Sequence, residues 1–207
     1  MNKIKICAPV IGKTLKEFLK NLDQVQEVSD MVELRADKIK NLSEKDLQLI
    51  RRKTKKEAIF TCREKEIILK VLNLGFDYVD IGLSLISNLD LPKKRKTKII
   101  LSFHDFKKTP SLILLKKIKK EMKQFQPDVM KFATMIDSDV DIKNLLRLLL
   151  SKDNNEKMIV IGMGEKGKIT RILGPLLGSF LTYASTSFGK SAPGQLEVAE
   201  LKKIYGR

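Results

Sequence analysis

Apolar positions along the chain fall into two alternating patterns. Short runs rich in Val, Ile, Leu and Met predict strands at residues 4–11, 31–36, 58–62, 78–81, 98–103, 129–133, 158–161 and 179–182. Several of these runs are continuously apolar, as expected of parallel strands covered on both faces. Between them, apolar positions recur every three or four residues and predict helices at 15–26, 43–52, 64–74, 111–125, 139–150, 168–177 and 196–205. The stretch 85–96 has a weaker pattern, and Pro92 interrupts it. Eight strands alternating with helices predict one domain, residues 1–207, folded as a single (β/α)8 TIM barrel. A doubly wound open sheet is the alternative. No linker, repeat or low-complexity segment divides the chain.

Composition narrows the class. With 43% hydrophobic and 32% charged residues the chain reads as a soluble globular protein. No apolar run approaches the roughly 18 residues of a membrane span. The start, Met1-Asn2-Lys3-Ile4-Lys5-Ile6-Cys7, lacks the apolar length of a signal peptide. Cys7 and Cys62 each lie in a strand-like segment and read as buried thiols of a cytoplasmic protein. A net charge of +16 raises nucleic-acid binding as a competing class. However, the cations are 33 Lys against 8 Arg, spread over helical surfaces, and there is no Trp for base stacking. Solvated lysine-rich faces account for them without a nucleic-acid partner, and the same field would draw in an anionic small molecule.

The candidate chemistry clusters at strand ends. His104, the chain's one histidine, stands where the run Lys98-Ile99-Ile100-Leu101-Ser102-Phe103 stops. Lys131 lies inside the next strand, Val129-Met130-Lys131-Phe132-Ala133. An amine and a proton carrier are the two groups needed for imine chemistry with proton transfer. Glu33 and Arg35 lie two apart near the end of the second strand, on one face. As a pair they read equally well as a structural ion pair. Arg63 ends the third strand, Arg171 follows the seventh, and the loop Ser191-Ala192-Pro193-Gly194-Gln195 follows the eighth. In a barrel all of these gather at the carboxyl ends of the strands, where such folds keep their active sites.

One motif points elsewhere. Gly162-Met163-Gly164-Glu165-Lys166-Gly167 fits a dinucleotide-binding pattern between a strand and a helix. Yet no acidic residue for a ribose occurs between Glu165 and Glu197, and Ile169 stands where a P-loop needs Ser or Thr. A glycine-rich turn leading into the helix that carries Arg171 is the better reading.

Taken in order, Val32-Glu33-Leu34-Arg35-Ala36-Asp37, Phe60-Thr61-Cys62-Arg63, Ser102-Phe103-His104-Asp105-Phe106, the strand around Lys131, Arg171 with Gly178-Ser179, and Ser191-Ala192-Pro193-Gly194-Gln195 resemble the type I 3-dehydroquinate dehydratase family over nearly the whole chain. The resemblance implies a (β/α)8 barrel, usually a homodimer, that dehydrates 3-dehydroquinate to 3-dehydroshikimate in the shikimate pathway. It needs no cofactor and no metal. By the same resemblance Lys131 forms the imine and His104 is the general acid/base. Glu33, Leu34, Arg35 and Arg63 fall in the part of the motif that surrounds the substrate hydroxyls. Arg171, Ser191 and Gln195 match the residues at the carboxylate, the last two on a covering loop.

Two positions depart from the family pattern. Ala8 stands where some members have a substrate-contacting serine, and Gly82 stands where a glutamate is expected. Glu64, Glu66 and Asp80 are the candidates to orient His104. The chemistry also sets an expectation for Lys131: a nucleophilic amine must shed its proton near neutrality, and burial with nearby arginines lowers a lysine pKa. A class I aldolase is the competing enzyme reading.

Overall fold

The computed structural model describes residues 3–92 and 94–207. Strands β1 (Ile6–Val10), β2 (Met31–Arg35), β3 (Glu57–Thr61), β4 (Tyr78–Gly82), β5 (Lys98–Asp105), β6 (Val129–Met135), β7 (Met158–Met163) and β8 (Thr182–Tyr183) form one parallel sheet. Their order is β7-β6-β5-β4-β3-β2-β1-β8, so consecutive strands are neighbours and β8 returns to β1. The Phe180 amide donates to the Met158 carbonyl at 2.8 Å and spans the β7–β8 seam. Helices α1 (Leu15–Val28), α2 (Glu44–Lys53), α3 (Lys65–Leu74), α4 (Leu83–Ile86), α5 (Leu112–Gln124), α6 (Asp139–Leu150), α7 (Lys168–Leu176) and α8 (Val198–Ile204) complete a single-domain (β/α)8 barrel. Among the described residues no helix is long and apolar enough to cross a membrane.

Strand alternation divides the core into two layers. Ile6, Ala8, Val32, Leu34, Phe60, Val79, Ile81, Leu101, Phe132 and Val160 point outward and pack with helix residues such as Phe18, Leu22, Ile50, Leu115 and Leu148. Cys7, Met31, Ile59, Tyr78, Ile100, Val129 and Ile159 point inward and fill the amino-terminal half of the barrel. Above that apolar plug the inward positions turn polar: Glu33, Asp80, Ser102 and Lys131 are all buried there. Both faces of each strand are therefore buried, and the sequence runs read as almost continuously apolar.

The structure shifts three expected boundaries. β5 extends through His104 and Asp105, two residues past the apolar run, because its pairing with β6 continues as His104–Ala133 and Asp105–Thr134. The last strand is Thr182–Tyr183, which pairs with β1 and starts at the end of the expected run 179–182. In the weak segment 85–96 the described residues are helical only at 85–86, the end of the four-residue α4 that directly follows β4.

Candidate active site

Lys131 occupies the centre of β6 and is buried. Its Nζ donates to Asp80 Oδ2 at 2.7 Å, and the Ser102 hydroxyl donates to Asp80 Oδ1 at 2.5 Å. The three residues come from adjacent strands, with Ser102 in register with Lys131. Nζ also lies 4.7 Å from the centroid of the Tyr183 ring, a cation–π arrangement contributed by β8. Burial alone opposes the ammonium, but the Asp80 carboxylate and then Glu33 outweigh it and hold the Lys131 pKa above its ordinary 10.5. This reverses the expected depression: a buried lysine facing carboxylates is stabilised as a cation. The arginines expected to lower it are not among its main influences, which are burial, Asp80, Glu33 and Cys7.

His104 lies two residues beyond Ser102 on β5, on the same inward face and about 6.6 Å nearer the barrel mouth. Its ring stacks on Phe106 at a centroid distance of 5.8 Å and an interplanar angle of 9°. Enclosure by the mouth and then the charge of Lys131 push the imidazole pKa down from 6.5 to about 4, although part of the residue is exposed at the mouth. It is therefore neutral near pH 7. The turn after it is fixed by Asp105, whose Oδ1 accepts from the amides of Lys107 and Lys108 at 2.9 and 3.1 Å.

Both groups line a cavity of about 860 Å3 at the carboxyl ends of the strands. Glu33, Arg35, Arg63, Arg171, Ser191 and Gln195 also line it, so the chain brings these expected residues to one place. Leu34 differs: its side chain lies in the helix-side layer, outside the cavity. Glu33 and Arg35 share a face but are not the ion pair that their spacing allowed. Arg35 instead makes a two-point pair with Asp37, at 2.8 and 2.7 Å. Glu33 Oε1 accepts a long bond from Thr61 at 3.4 Å, and its buried Oε2 has no partner.

Arg171 sits in the first turns of α7 and is only 1% exposed. Its position has a local cause. Pro175 removes the amide that would bond the Arg171 carbonyl four residues back. Thr182 Oγ1 and the Tyr205 hydroxyl donate to that carbonyl instead, both at 2.9 Å, tying the helix to β8 and to the chain end. The guanidinium donates to the Pro193 carbonyl of the covering loop at 3.2 Å, and its Nε is buried without a partner. Burial lowers its pKa to about 10, so it stays charged near neutrality. Within the loop, Gln195 Oε1 accepts from the Ser191 amide at 2.7 Å, and Nε2 donates to Ser191 Oγ at 3.1 Å.

The glycine-rich turn is folded on itself rather than open to a phosphate. A Cβ at Gly167 would collide with the Gly162 backbone, and one at Gly194 with the Gly164 carbonyl oxygen. The turn thus leads into α7 and forms the seat of the covering loop.

Of the departures, Ala8 packs with the helices, and Cys7 is its inward neighbour on β1. A Cβ at Gly82 would meet only Ser84 Oγ at 3.9 Å, so this wall of the cavity is open. Asp80 is the carboxylate among the three candidates that acts on the His104 imidazole, favouring its cation against the larger opposing effects. Tyr183 is a cavity residue that sequence reasoning missed, because a tyrosine in an apolar run reads as core.

An amine, a neutral imidazole and three guanidinium groups around one cavity suit an anionic carbonyl compound. Comparison with known proteins gives a consistent result. A family model described as Type I 3-dehydroquinase matches residues 6–207. The 3-dehydroquinate dehydratase of Coxiella burnetii (strain CbuK_Q154) is 42% identical over 221 residues, covering 100% of this chain and 94% of that protein. The 3-dehydroquinate dehydratase of Methanocaldococcus jannaschii is 38% identical, with 97% of each chain covered. The crystal structure of the 3-dehydroquinate dehydratase of Aquifex aeolicus VF5 superposes with a TM-score of 0.82 at 28% identity, over 99% of this chain and 100% of that one.

Proposed function

Because the chain belongs to the type I 3-dehydroquinase family, we propose that it removes water from 3-dehydroquinate to give 3-dehydroshikimate through an imine on Lys131. The Lys131 amine adds to the substrate ketone, and loss of water leaves a protonated imine. This withdraws electrons from the adjacent C–H bond, and His104 takes that proton. The resulting enamine expels the β-hydroxyl, to which His104 returns the proton as water leaves. A second water hydrolyses the imine, releasing the conjugated ketone and restoring the amine.

The observation that carries this reading is the buried Lys131 Nζ at the floor of a cavity that neutral His104 enters from the neighbouring strand. Glu33, Arg35 and Arg63, on one side of the mouth, face the hydroxyls. Arg171 takes the carboxylate, for which planar two-point hydrogen bonding suits a guanidinium. Ser191 and Gln195 close above it. The protein acts as a homodimer, which its mass in solution will read directly. Two buried free thiols fit a reducing cytoplasm.

The test is incubation with 3-dehydroquinate while following the ultraviolet absorbance of the conjugated product. Absorbance should rise with the wild-type chain and not with Lys131→Ala. No rise with the folded wild-type chain would reject the reading.

A further inference from the structure

The imine chemistry leaves the buried carboxylate of Asp80 unused. Asp80 lines the cavity beside Lys131 but is almost wholly covered: its side chain is 5% exposed, against 7% for Lys131. One carboxylate oxygen is taken by Lys131 Nζ and the other by Ser102 Oγ. A buried carboxylate held on both oxygens by neighbouring strands cannot swing away, so it dictates where the nitrogen rests. We infer that Asp80, anchored by Ser102, is a positioning residue for the Lys131 amine: it fixes Nζ at the cavity floor and makes release of the nucleophile conditional on a proton leaving towards the mouth. This rests on the proposed reaction for its catalytic meaning, but the anchoring itself concerns the free protein.

The groups facing this pair come from several strands. Glu33 on β2 adds a second negative charge, Cys7 on β1 is a thiol kept protonated by burial and Glu33, and Tyr183 on β8 offers its ring. His104 on β5 stands above, and Lys131 and His104 repel each other when both are charged. With its pKa held above the ordinary lysine value by Asp80 and Glu33, Lys131 rests as the ammonium near neutrality. Moving the ammonium proton to His104 leaves a neutral amine beside Asp80 and an imidazolium nearer the mouth. That transfer removes the Lys131 charge, which after burial is the second cause that keeps His104 neutral. Asp80 thus stores the nucleophile as a cation at a defined place, and His104 is the acceptor that frees it. No atom is lost: the proton that leaves Nζ is carried on His104 until the amine has attacked and the carbinolamine needs an acid to expel water.

The decisive measurement is a 13C NMR titration of the Lys131 ε-carbon in lysine-labelled protein, with the signal assigned by its loss in Lys131→Met. In the unaltered chain the midpoint should lie above 10.5. Asp80→Asn, nearly isosteric, should lower it by one pH unit or more, on the order of a tenfold change in proton affinity. With 3-dehydroquinate the same variant should lose about 10- to 100-fold in kcat, the scale of a misplaced reacting group, with KM changed less than about threefold. Its rate should also rise at lower pH than that of the unaltered chain. Asp80→Glu should restore part of kcat. Ser102→Ala, which leaves the carboxylate in place but loose, should lower kcat by a smaller factor, so the inference stays testable if Asp80→Asn does not fold. An unchanged Lys131 titration in Asp80→Asn, or unchanged kcat and titration in Ser102→Ala, overturns it. If no protein turns over 3-dehydroquinate but the titration shifts, the reaction is wrong and the anchoring stands.

Discussion

At the scale of single residues the site is a problem of proton placement. His104 is neutral at pH 7 because enclosure and the Lys131 charge disfavour its imidazolium. In the proposed reaction His104 is the group that receives the substrate's α proton. His104→Ala should therefore lose activity by about 10²–10⁴-fold, the usual scale for one acid/base group, while an imine on Lys131 still forms. In the unaltered chain, kcat/KM should show no inflection near 6.5, since a lowered His104 pKa keeps the base form down to about 4. An inflection at 6.5 that vanishes in His104→Ala would show an ordinary, unperturbed histidine. Arg171 makes the second residue-scale case. Its guanidinium is buried with Nε unpartnered, so a substrate carboxylate would meet an unsatisfied donor. Arg171→Ala should raise KM by about tenfold or more, and Arg171→Lys should restore only part of that, because an ammonium keeps the charge and loses the planar fork. Equal KM in all three proteins would remove Arg171 from the carboxylate site.

Between residues and the barrel lie the loops, where glycine decides what can close. Gly194 has φ +74°, and a Cβ there would strike the Gly164 carbonyl oxygen. Gly194→Ala must displace the covering loop from its seat at a strain of about 1–3 kcal/mol. The expected result is a KM increase of several-fold with little change in melting temperature, read by steady-state kinetics and thermal denaturation. Unchanged KM would mean the loop does not need this seat.

The same elements show how far the sequence could be read. The strands 31–36, 58–62 and 129–133 were legible because runs rich in Val, Ile, Leu, Phe and Met, with few polar interruptions, fit strands buried on both faces. The end of β5 was not, because His104 and Asp105 interrupt the apolar run while the ladder to β6 continues beneath them. β8 was displaced because its two residues are held by β1 and not by their own propensity. The glycine motif was legible as a turn but not as a seat, since its partner lies 30 residues onward at Gly194. The polar residues of the site were found by position at strand ends. Their partners were not: the Arg35–Asp37 pair, the place of Tyr183 under Lys131 and the sign of the Lys131 shift all depend on which strands meet across the barrel.

At the scale of the whole molecule, the barrel separates two demands. The outward strand faces and the amino-terminal plug supply apolar burial, and the upper inward layer is then free to hold charge. An amine can be buried there because four strands, β2, β4, β5 and β8, contribute groups to the same few positions: Glu33, Asp80, Ser102, His104 and Tyr183. The net charge of +16 gives the molecule a long-range field that favours the approach of anions, an effect that added salt should weaken. In the proposed reaction this one lysine carries the substrate. That role is tested most directly by adding borohydride during turnover of 3-dehydroquinate and locating the reduced adduct by peptide mass spectrometry. The account predicts the added mass on the peptide containing Lys131 and no adduct in Lys131→Ala. Turnover without a trapped adduct, or an adduct on another lysine, would contradict it.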